Sequence, residues 1–126
     1  MNSSTPAGFR PAIAFDAATP EPQAYRPAPE RIVSGDPAQR AWNFYSSADG
    51  RFHSGIWECG VGKWRVVFTE NEFCHLLAGE ILVTGDDGSE RRFCAGDAFV
   101  SPAGFTGWWD VRSPARKYYA IYEAAP

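Results

Sequence analysis

A glutamate, a lysine and a tyrosine in this sequence have side chains suited to acid–base chemistry. Glu72 lies in a largely apolar stretch, and Lys117 and Tyr119 are two residues apart near the C-terminal end. Because alternate residues of a strand point to the same side, Lys117 and Tyr119 should share one face. A carboxylate, an ammonium and a phenol can accept and donate protons as catalytic residues. The alternative is an internal Glu72–Lys117 ion pair that holds two strands together, and the sequence leaves both interpretations open.

Short runs rich in Val, Ile, Phe, Trp and Tyr must position these residues. They alternate with clusters of Gly, Asn and Asp, which are the residues that turns require. Many short strands at close spacing predict an all-β sandwich or barrel with almost no α-helix. The predicted strands are residues 40–46, 52–59, 63–69, 72–77, 81–84, 90–94, 98–101, 107–111 and 117–123.

The first 38 residues differ from the rest in their proline content. Because proline fixes φ and removes a backbone donor, we expect neither a helix nor a central strand in this stretch. We predict an extended, proline-rich N-terminal arm over residues 1–38 and a β-barrel domain over residues 39–126. The apolar residues Ile13, Phe15 and Ile32 give the arm a means of docking on the body or on a second subunit, and we expect a homodimer.

Composition excludes several classes of protein. The 126 residues, 44% of them hydrophobic, suffice for one packed domain. A net charge of −3 does not suit a nucleic-acid-binding surface, so no nucleic acid is expected as a partner. No signal layout begins the sequence, and the longest uncharged run, 98–109, is too short for a membrane span. We therefore expect a cytoplasmic protein with no membrane partner.

The cysteines agree with a reducing compartment. Cys59, Cys74 and Cys94 are odd in number and include no Cys-x-x-Cys pair, which argues against a disulfide framework and a structural zinc site. We expect all three to be buried apolar thiols.

Two segments carry a resemblance to a known superfamily. They span residues 62–79 and 96–108 and are separated by the turn sequence of residues 85–88. The matching residues are Gly62, Glu72, Gly79, Gly96, Pro102 and Gly104. At these spacings they resemble the two conserved motifs of the cupins, which are double-stranded β-helix, or jelly-roll, barrels. The resemblance implies this fold for the chain.

The histidines of the cupin motifs are absent. Val66 and Phe68 stand at the two positions of the His-x-His pair, and Gly107 stands at the third histidine position. Of the motif ligands only Glu72 remains, whereas a first-row metal needs about three or four converging N or O ligands. His75, three residues after Glu72, should point to the opposite face of its strand. We therefore expect no cofactor and no bound metal.

A closer resemblance is to the small single-domain cupins grouped with the ureidoglycine aminohydrolase cupin domain. The residues that carry it are 54–59, 72–75, 96–99, 102–105, 107–108, Arg116, Lys117 and Tyr119. The full ureidoglycine enzymes contain two cupin domains and use manganese. Since this chain has one such domain and lacks most of the ligands, the resemblance does not imply their reaction.

The resemblance also implies an apolar, aromatic pocket inside the barrel. It implies that residues 66, 68 and 107 point into the barrel. Strand alternation predicts that residues two positions away from them point inward as well. The candidate ligand-binding residues are Trp64, Phe68, Cys74 and Trp109.

Three functions fit these features. The first is a small-molecule-binding cupin whose ligand is a sugar, an amine or a ureido compound. The second is a metal-independent isomerase or hydrolase that acts on a small polar or nitrogen-containing metabolite with Glu72, Lys117 and Tyr119. The third is a subunit or regulator with a vestigial pocket. The sequence favours the first and does not name the ligand.

Overall fold

The computed structural model describes residues 6–16 and 20–125, and most of them form β-strands. The strands are β1 (Gln23–Tyr25), β2 (Ile32–Gly35), β3 (Gln39–Ser46), β4 (Phe52–Cys59), β5 (Gly62–Val67), β6 (Asn71–Gly85), β7 (Glu90–Cys94), β8 (Ala98–Ser101) and β9 (Thr106–Tyr122). Within the described residues, the one helix is a short 3₁₀ turn at Pro29–Arg31. The all-β prediction is confirmed.

The long strands β6 and β9 organise one curled antiparallel sheet. The first part of β9 pairs with β5 and its last part pairs with β4, while β6 pairs with β9 along its other edge. The order along the sheet is β1-β3-β4-β9-β5-β2, and β7 and β8 are attached through β6. Both Glu72 and Lys117 therefore lie on the two strands with the most neighbours.

The prediction of separate strands at 72–77 and 81–84, and at 107–111 and 117–123, is wrong. Each pair is one continuous strand, because the residues predicted to form turns lie at irregularities of the β6–β9 ladder. Gly79 has a φ of 87°, and a Cβ there would lie 2.3 Å from the carbonyl oxygen of Pro114. This close approach requires glycine, and the chain passes through a bulge where a turn was expected.

The proline-rich stretch contributes two short strands to the sheet. β1 pairs with β3 and β2 pairs with β5, so these two strands lie at the two ends of the strand order. Edge positions agree with the nearby prolines, which cannot donate a hydrogen bond to a neighbouring strand. Earlier in the chain, the ring of Phe15 stacks on Phe44 with 4.8 Å between centroids. The division of the chain at residue 38 stays a prediction.

The core fills the inside of the curled sheet. Its central members are Trp57, Cys59, Trp64, Val66, Cys74, Leu76, Ile81, Trp109, Val111, Ala115 and Tyr119. Cys59 and Cys74 are buried as expected, but the expectation for Cys94 is wrong, because it ends a strand of an exposed hairpin. No helix in the ranges 6–16 and 20–125 has the length and apolar character needed to cross a membrane.

Gly107 lies on β9 between β5 and β6, in close contact with the backbone of β6. It pairs with Val66 of β5 and with Gly85 of β6. A Cβ at this position would lie 2.0 Å from the carbonyl oxygen of Thr84 and 2.9 Å from the Cα of Gly85. No side chain fits there unless β6 moves, so the histidine of the cupin motif cannot be restored by this substitution alone.

We predict that Gly107→Ala lowers the free energy of unfolding by about 3 kcal/mol, because the added methyl group overlaps backbone atoms that cannot rotate away. Urea denaturation measures the loss. The control is Gly88→Ala, where φ is 86° and no atom lies within 4 Å of the added carbon. That change should cost about 1 kcal/mol from backbone strain alone. Equal losses in the two variants would contradict the steric argument.

Candidate functional site

A cavity of about 620 Å³ opens among the N-terminal segment and the inner faces of β3, β4, β5, β6 and β9. Seven residues were predicted to line it, and the structure brings six of them to its surface: Trp64, Phe68, Glu72, Trp109, Lys117 and Tyr119. Strand alternation accounts for this, because each of the six is on the inner side of its strand or just beyond its end. Cys74 is fully buried and lies outside the lining.

A buried ion pair joins two strands beside the cavity. Nζ of Lys117 on β9 donates to Oε2 of Glu72 on β6 at 2.8 Å, and only 3% and 11% of the two side chains is exposed. The same ammonium lies 3.4 Å from Sγ of Cys74. Lys117 thus provides the cation that a carboxylate in apolar surroundings requires.

Two indole rings complete the surroundings of the ammonium. Nζ of Lys117 lies 4.4 Å from the ring centroids of both Trp57 and Trp109. A cation over an aromatic face is stabilised by the ring quadrupole, the more so where water is excluded. Burial is the largest single influence and opposes the charge, but the interactions with Glu72 and Cys74 together outweigh it, and the pKa of Lys117 is raised. The lysine is therefore protonated and is not a general base.

The thiol of Cys74 is held in its neutral form. Burial raises its pKa to about 12, and the positive charge of Lys117 offsets only part of that effect. Because the thiolate is the reactive form of cysteine, this group is not set up as a nucleophile.

Tyr119 begins a directed chain of hydrogen bonds along one side of the cavity. Its hydroxyl donates to Oδ1 of Asn43 at 2.8 Å, and Nδ2 of Asn43 donates to Oγ of Ser46 at 2.8 Å. The same amide nitrogen donates to the carbonyl of Tyr45, which fixes the orientation of the amide. Burial raises the pKa of Tyr119 to about 12, so the phenol keeps its proton.

His53 ends this chain at the rim of the cavity. Its Nδ1 lies 2.7 Å from Oγ of Ser46, and its Nε2 donates to the carbonyl of Gly50 at 3.0 Å. Since the carbonyl can only accept, Nε2 carries a hydrogen, and in the neutral ring Nδ1 accepts from the hydroxyl of Ser46. His75, by contrast, lies on the outer face beside Tyr118, as its odd spacing from Glu72 predicts.

A second polar group lies under the aromatic wall. The indole N–H of Trp57 donates to Oε1 of Gln39 at 2.8 Å, and Nε2 of Gln39 donates to the carbonyl of Pro37. Sequence reasoning missed Gln39, Asn43 and Ser46. Asn43 and Ser46 were assigned to a strand, and Gln39 to the residue before it. Nothing in the sequence marks Gln39 and Asn43 as partners of residues 18 and 76 positions away.

Carboxylates lie at the outer part of the cavity. Glu21 and Glu70 belong to its lining together with Glu72. Burial raises the pKa of Glu70, and the neighbouring carboxylates of Glu123 and Glu72 and a hydrogen bond with Glu123 raise it further, while His53 offsets part of the effect. A cation or a hydrogen-bond donor beside Glu70 would relieve this repulsion.

The residues present do not fit the metal that the cupin motifs imply. Val66 and Phe68 have no donor atoms, both ring nitrogens of His53 are bonded to protein groups, and Glu72 is bonded to an ammonium. Within residues 6–16 and 20–125, no three His, Cys, Asp or Glu side chains come together as a metal-binding group.

Comparison with known proteins identifies the fold. A model of the family of EutQ-like cupin domains matches residues 46–119. A DUF861 family protein of unknown function from Pseudomonas syringae superposes with a TM-score of 0.75 and 21% identity over 86% of this chain, which spans 46% of that protein. The EutQ protein of Clostridium difficile gives a TM-score of 0.61 with 17% identity, covering 71% of each chain. The predicted cupin barrel is confirmed.

A third structure has higher identity. A DUF861 family protein from Thermotoga maritima is 27% identical, with a TM-score of 0.51, over 79% of this chain and 97% of that one. No curated protein matches the sequence significantly.

We predict that Glu72→Gln lowers the free energy of unfolding by about 3–5 kcal/mol, because it leaves the ammonium of Lys117 buried without a counter-charge. Urea denaturation of this variant, Lys117→Met and the double variant gives a cycle, in which the double variant should lose less than the two single losses combined. The control, Glu80→Gln, breaks the exposed pair with Arg92 and should cost at most about 1 kcal/mol. A coupling energy near zero would contradict the buried pair.

We also predict that stability falls as the pH rises from about 9 to about 12. The thiol of Cys74 has an ordinary pKa of 9.0 and a folded-state pKa of about 12, so the folded state holds its proton more tightly. Its contribution is complete below pH 9.0 and is lost as the pH rises towards the folded value, at about 1.4 kcal/mol per pH unit.

Urea denaturation at several pH values between 8 and 10 measures this loss of stability per pH unit. Cys74→Ala should reduce the slope, whereas Cys94→Ala controls for removal of an exposed thiol. An unchanged slope in Cys74→Ala would show that this thiol is not protected by burial.

Proposed function

The chain belongs to the family of EutQ-like cupin domains, and from this premise we propose that it binds a small polar molecule in the cavity beside the Glu72–Lys117 pair. The observation that carries the proposal is the cavity itself, with a volume of about 620 Å³, aromatic walls and a few convergent polar groups. Small-molecule sites have volumes of about 300–1,000 Å³ and this kind of lining.

The Glu72–Lys117 ion pair at the buried end of the cavity supports binding without a metal. Lys117 already neutralises Glu72, so the cavity presents a satisfied polar end rather than an uncompensated charge. Trp64 and Phe68 provide surfaces on which a flat ligand can stack. No specific observation favours the metal-independent enzyme, since Lys117 is protonated and the hydroxyl of Tyr119 donates to Asn43.

Self-association is a further part of the proposal. Phe73 of β6 and Val100 of β8 are cross-strand neighbours on the outer face, and both are exposed together with Tyr118 of β9. Exposed apolar patches of this kind mark interaction surfaces. We propose that a second copy of the chain covers this face, and light scattering against the 13.9 kDa chain mass tests it.

Two narrower assignments are also proposals. Membership of the ureidoglycine aminohydrolase cupin-domain group rests on the ordered motif residues, and a cytoplasmic location rests on the free state of the cysteines.

We predict that a library of sugars, amines and ureido compounds contains ligands that raise the melting temperature. At 100 times its Kd, a ligand of the native state adds about 2.7 kcal/mol of stability. Ala41→Phe places a ring in the cavity and should weaken the binding of each of these ligands at least about tenfold, because the ring occupies space that the ligand needs. The control, Ala95→Phe, adds the same ring to an exposed turn and should bind as the unchanged protein does.

Two results would contradict the proposal. One is the absence of any stabilising compound in the library. The other is a set of ligands that bind Ala41→Phe and the unchanged protein equally well, since they would occupy another site.

A further inference from the structure

The cavity has a hydrogen-bonding polarity that follows from the bonds its wall residues make to one another. The indole N–H of Trp57 donates to Gln39, and Gln39 in turn donates to a backbone carbonyl. On the other side, the hydroxyl of Tyr119 donates to Asn43, whose amide donates to two protein oxygens. Apart from the second N–H of the Gln39 amide, these donors are therefore used within the protein and are not offered to a ligand.

Most of the remaining polar groups of the wall follow the same rule. One exception is the hydroxyl of Tyr25, which lines the cavity and donates to no protein group among the described residues. The hydroxyl of Ser46 donates to His53, and His53 donates to a backbone carbonyl. The ammonium of Lys117 is directed to Glu72 and Cys74. The indole N–H of Trp109 has no partner among the described residues, but it is buried and not accessible from the cavity. Gln23 lies on the exposed strand β1 at the cavity lining, and its amide is free to donate as well as to accept.

Acceptors and negative charge are what the cavity still presents. The oxygen of Tyr119 has donated its hydrogen to Asn43 and keeps its lone pairs. Three carboxylates, those of Glu21, Glu70 and Glu72, lie in the lining beside the single ammonium of Lys117. The lining therefore holds more carboxyl groups than ammonium groups after the buried pair is set aside.

The aromatic walls suit the same kind of ligand. Trp64, Phe68 and Trp57 line the cavity, and the face of an aromatic ring attracts a cation. The protein already uses this interaction once, because the ammonium of Lys117 lies over Trp57 and Trp109. A desolvated anion would find few free donors, chiefly the hydroxyl of Tyr25 and the amide of Gln23, and no compensating charge.

We propose that the ligand of this cavity is a small, flat organic cation that carries N–H donors, of the amidinium or guanidinium class. This inference rests on the proposed function, since it names the ligand chemistry of the same cavity. The N–H groups bond to Glu70 and to the oxygen of Tyr119, and the flat surface stacks on the aromatic wall.

The test uses benzamidine, benzamide and benzoate, which share one shape and carry positive, zero and negative charge. Titrations are followed by the indole N–H signals of the tryptophans in NMR spectra. Benzamidine should bind about tenfold or more tightly than benzamide, because the neutral amide cannot make a charged hydrogen bond. Benzoate should not bind.

A matched pair of variants tests the contact with the carboxylate. Glu70→Gln should weaken benzamidine about fivefold and leave benzamide unchanged, because one charge interaction is lost. Glu90→Gln removes the same charge from the exposed strand β7 and should change neither affinity. Equal losses in both variants, or none in Glu70→Gln, would overturn the contact and with it the proposal.

The outcomes separate this inference from the proposed function. If benzamide or benzoate binds as tightly as benzamidine, the cavity binds small molecules and the assignment to cations is wrong. If none of the three binds but the compound library yields ligands that Ala41→Phe blocks, the assignment to cations is wrong and the proposed small-molecule site stands. If the library yields none either, both proposals fail.

Discussion

The buried pair between Glu72 and Lys117 is the interaction on which the interior of this barrel depends. Two charges removed from water are tolerated only where they are close and further bonded, and here they are 2.8 Å apart. The resemblance to the cupins assigns the glutamate to a metal site. In this chain an ammonium on the neighbouring strand supplies the positive charge, and two indole rings stabilise it. Removing either partner alone would leave a charge that the core cannot solvate.

This internal cation changes what the cavity can offer to a ligand. A metal ion keeps open positions that accept ligand lone pairs, whereas the ammonium of Lys117 directs its hydrogens to Glu72 and Cys74. The chain of bonds from Tyr119 through Asn43 consumes donors on the opposite side. In the proposed site, the scaffold that holds an electron-pair acceptor in metal-binding cupins thus presents mainly hydrogen-bond acceptors.

The sequence predicted the inward residues well because strand alternation and the motif spacings are local properties. They placed Trp64, Glu72 and Lys117 on the correct faces, and the pair itself followed from the need of a buried carboxylate for a cation. The bulge at Gly79 was read as a turn, because a glycine next to a strand signals either one. Which applies depends on Pro114, which lies opposite it only after the strands have paired.

The hydrogen-bond chain was beyond sequence reasoning for a related reason. Tyr119 and Asn43 are 76 positions apart, and neither residue type indicates where its hydrogen is directed. Asn43 can present either a donor or an acceptor, and the choice is made by the carbonyl of Tyr45, a fixed acceptor beside it. That one backbone group orients the amide, the amide receives the hydrogen of Tyr119, and the phenol oxygen is left as an acceptor. The acceptor character of this phenol oxygen is therefore set by a backbone carbonyl that does not line the cavity.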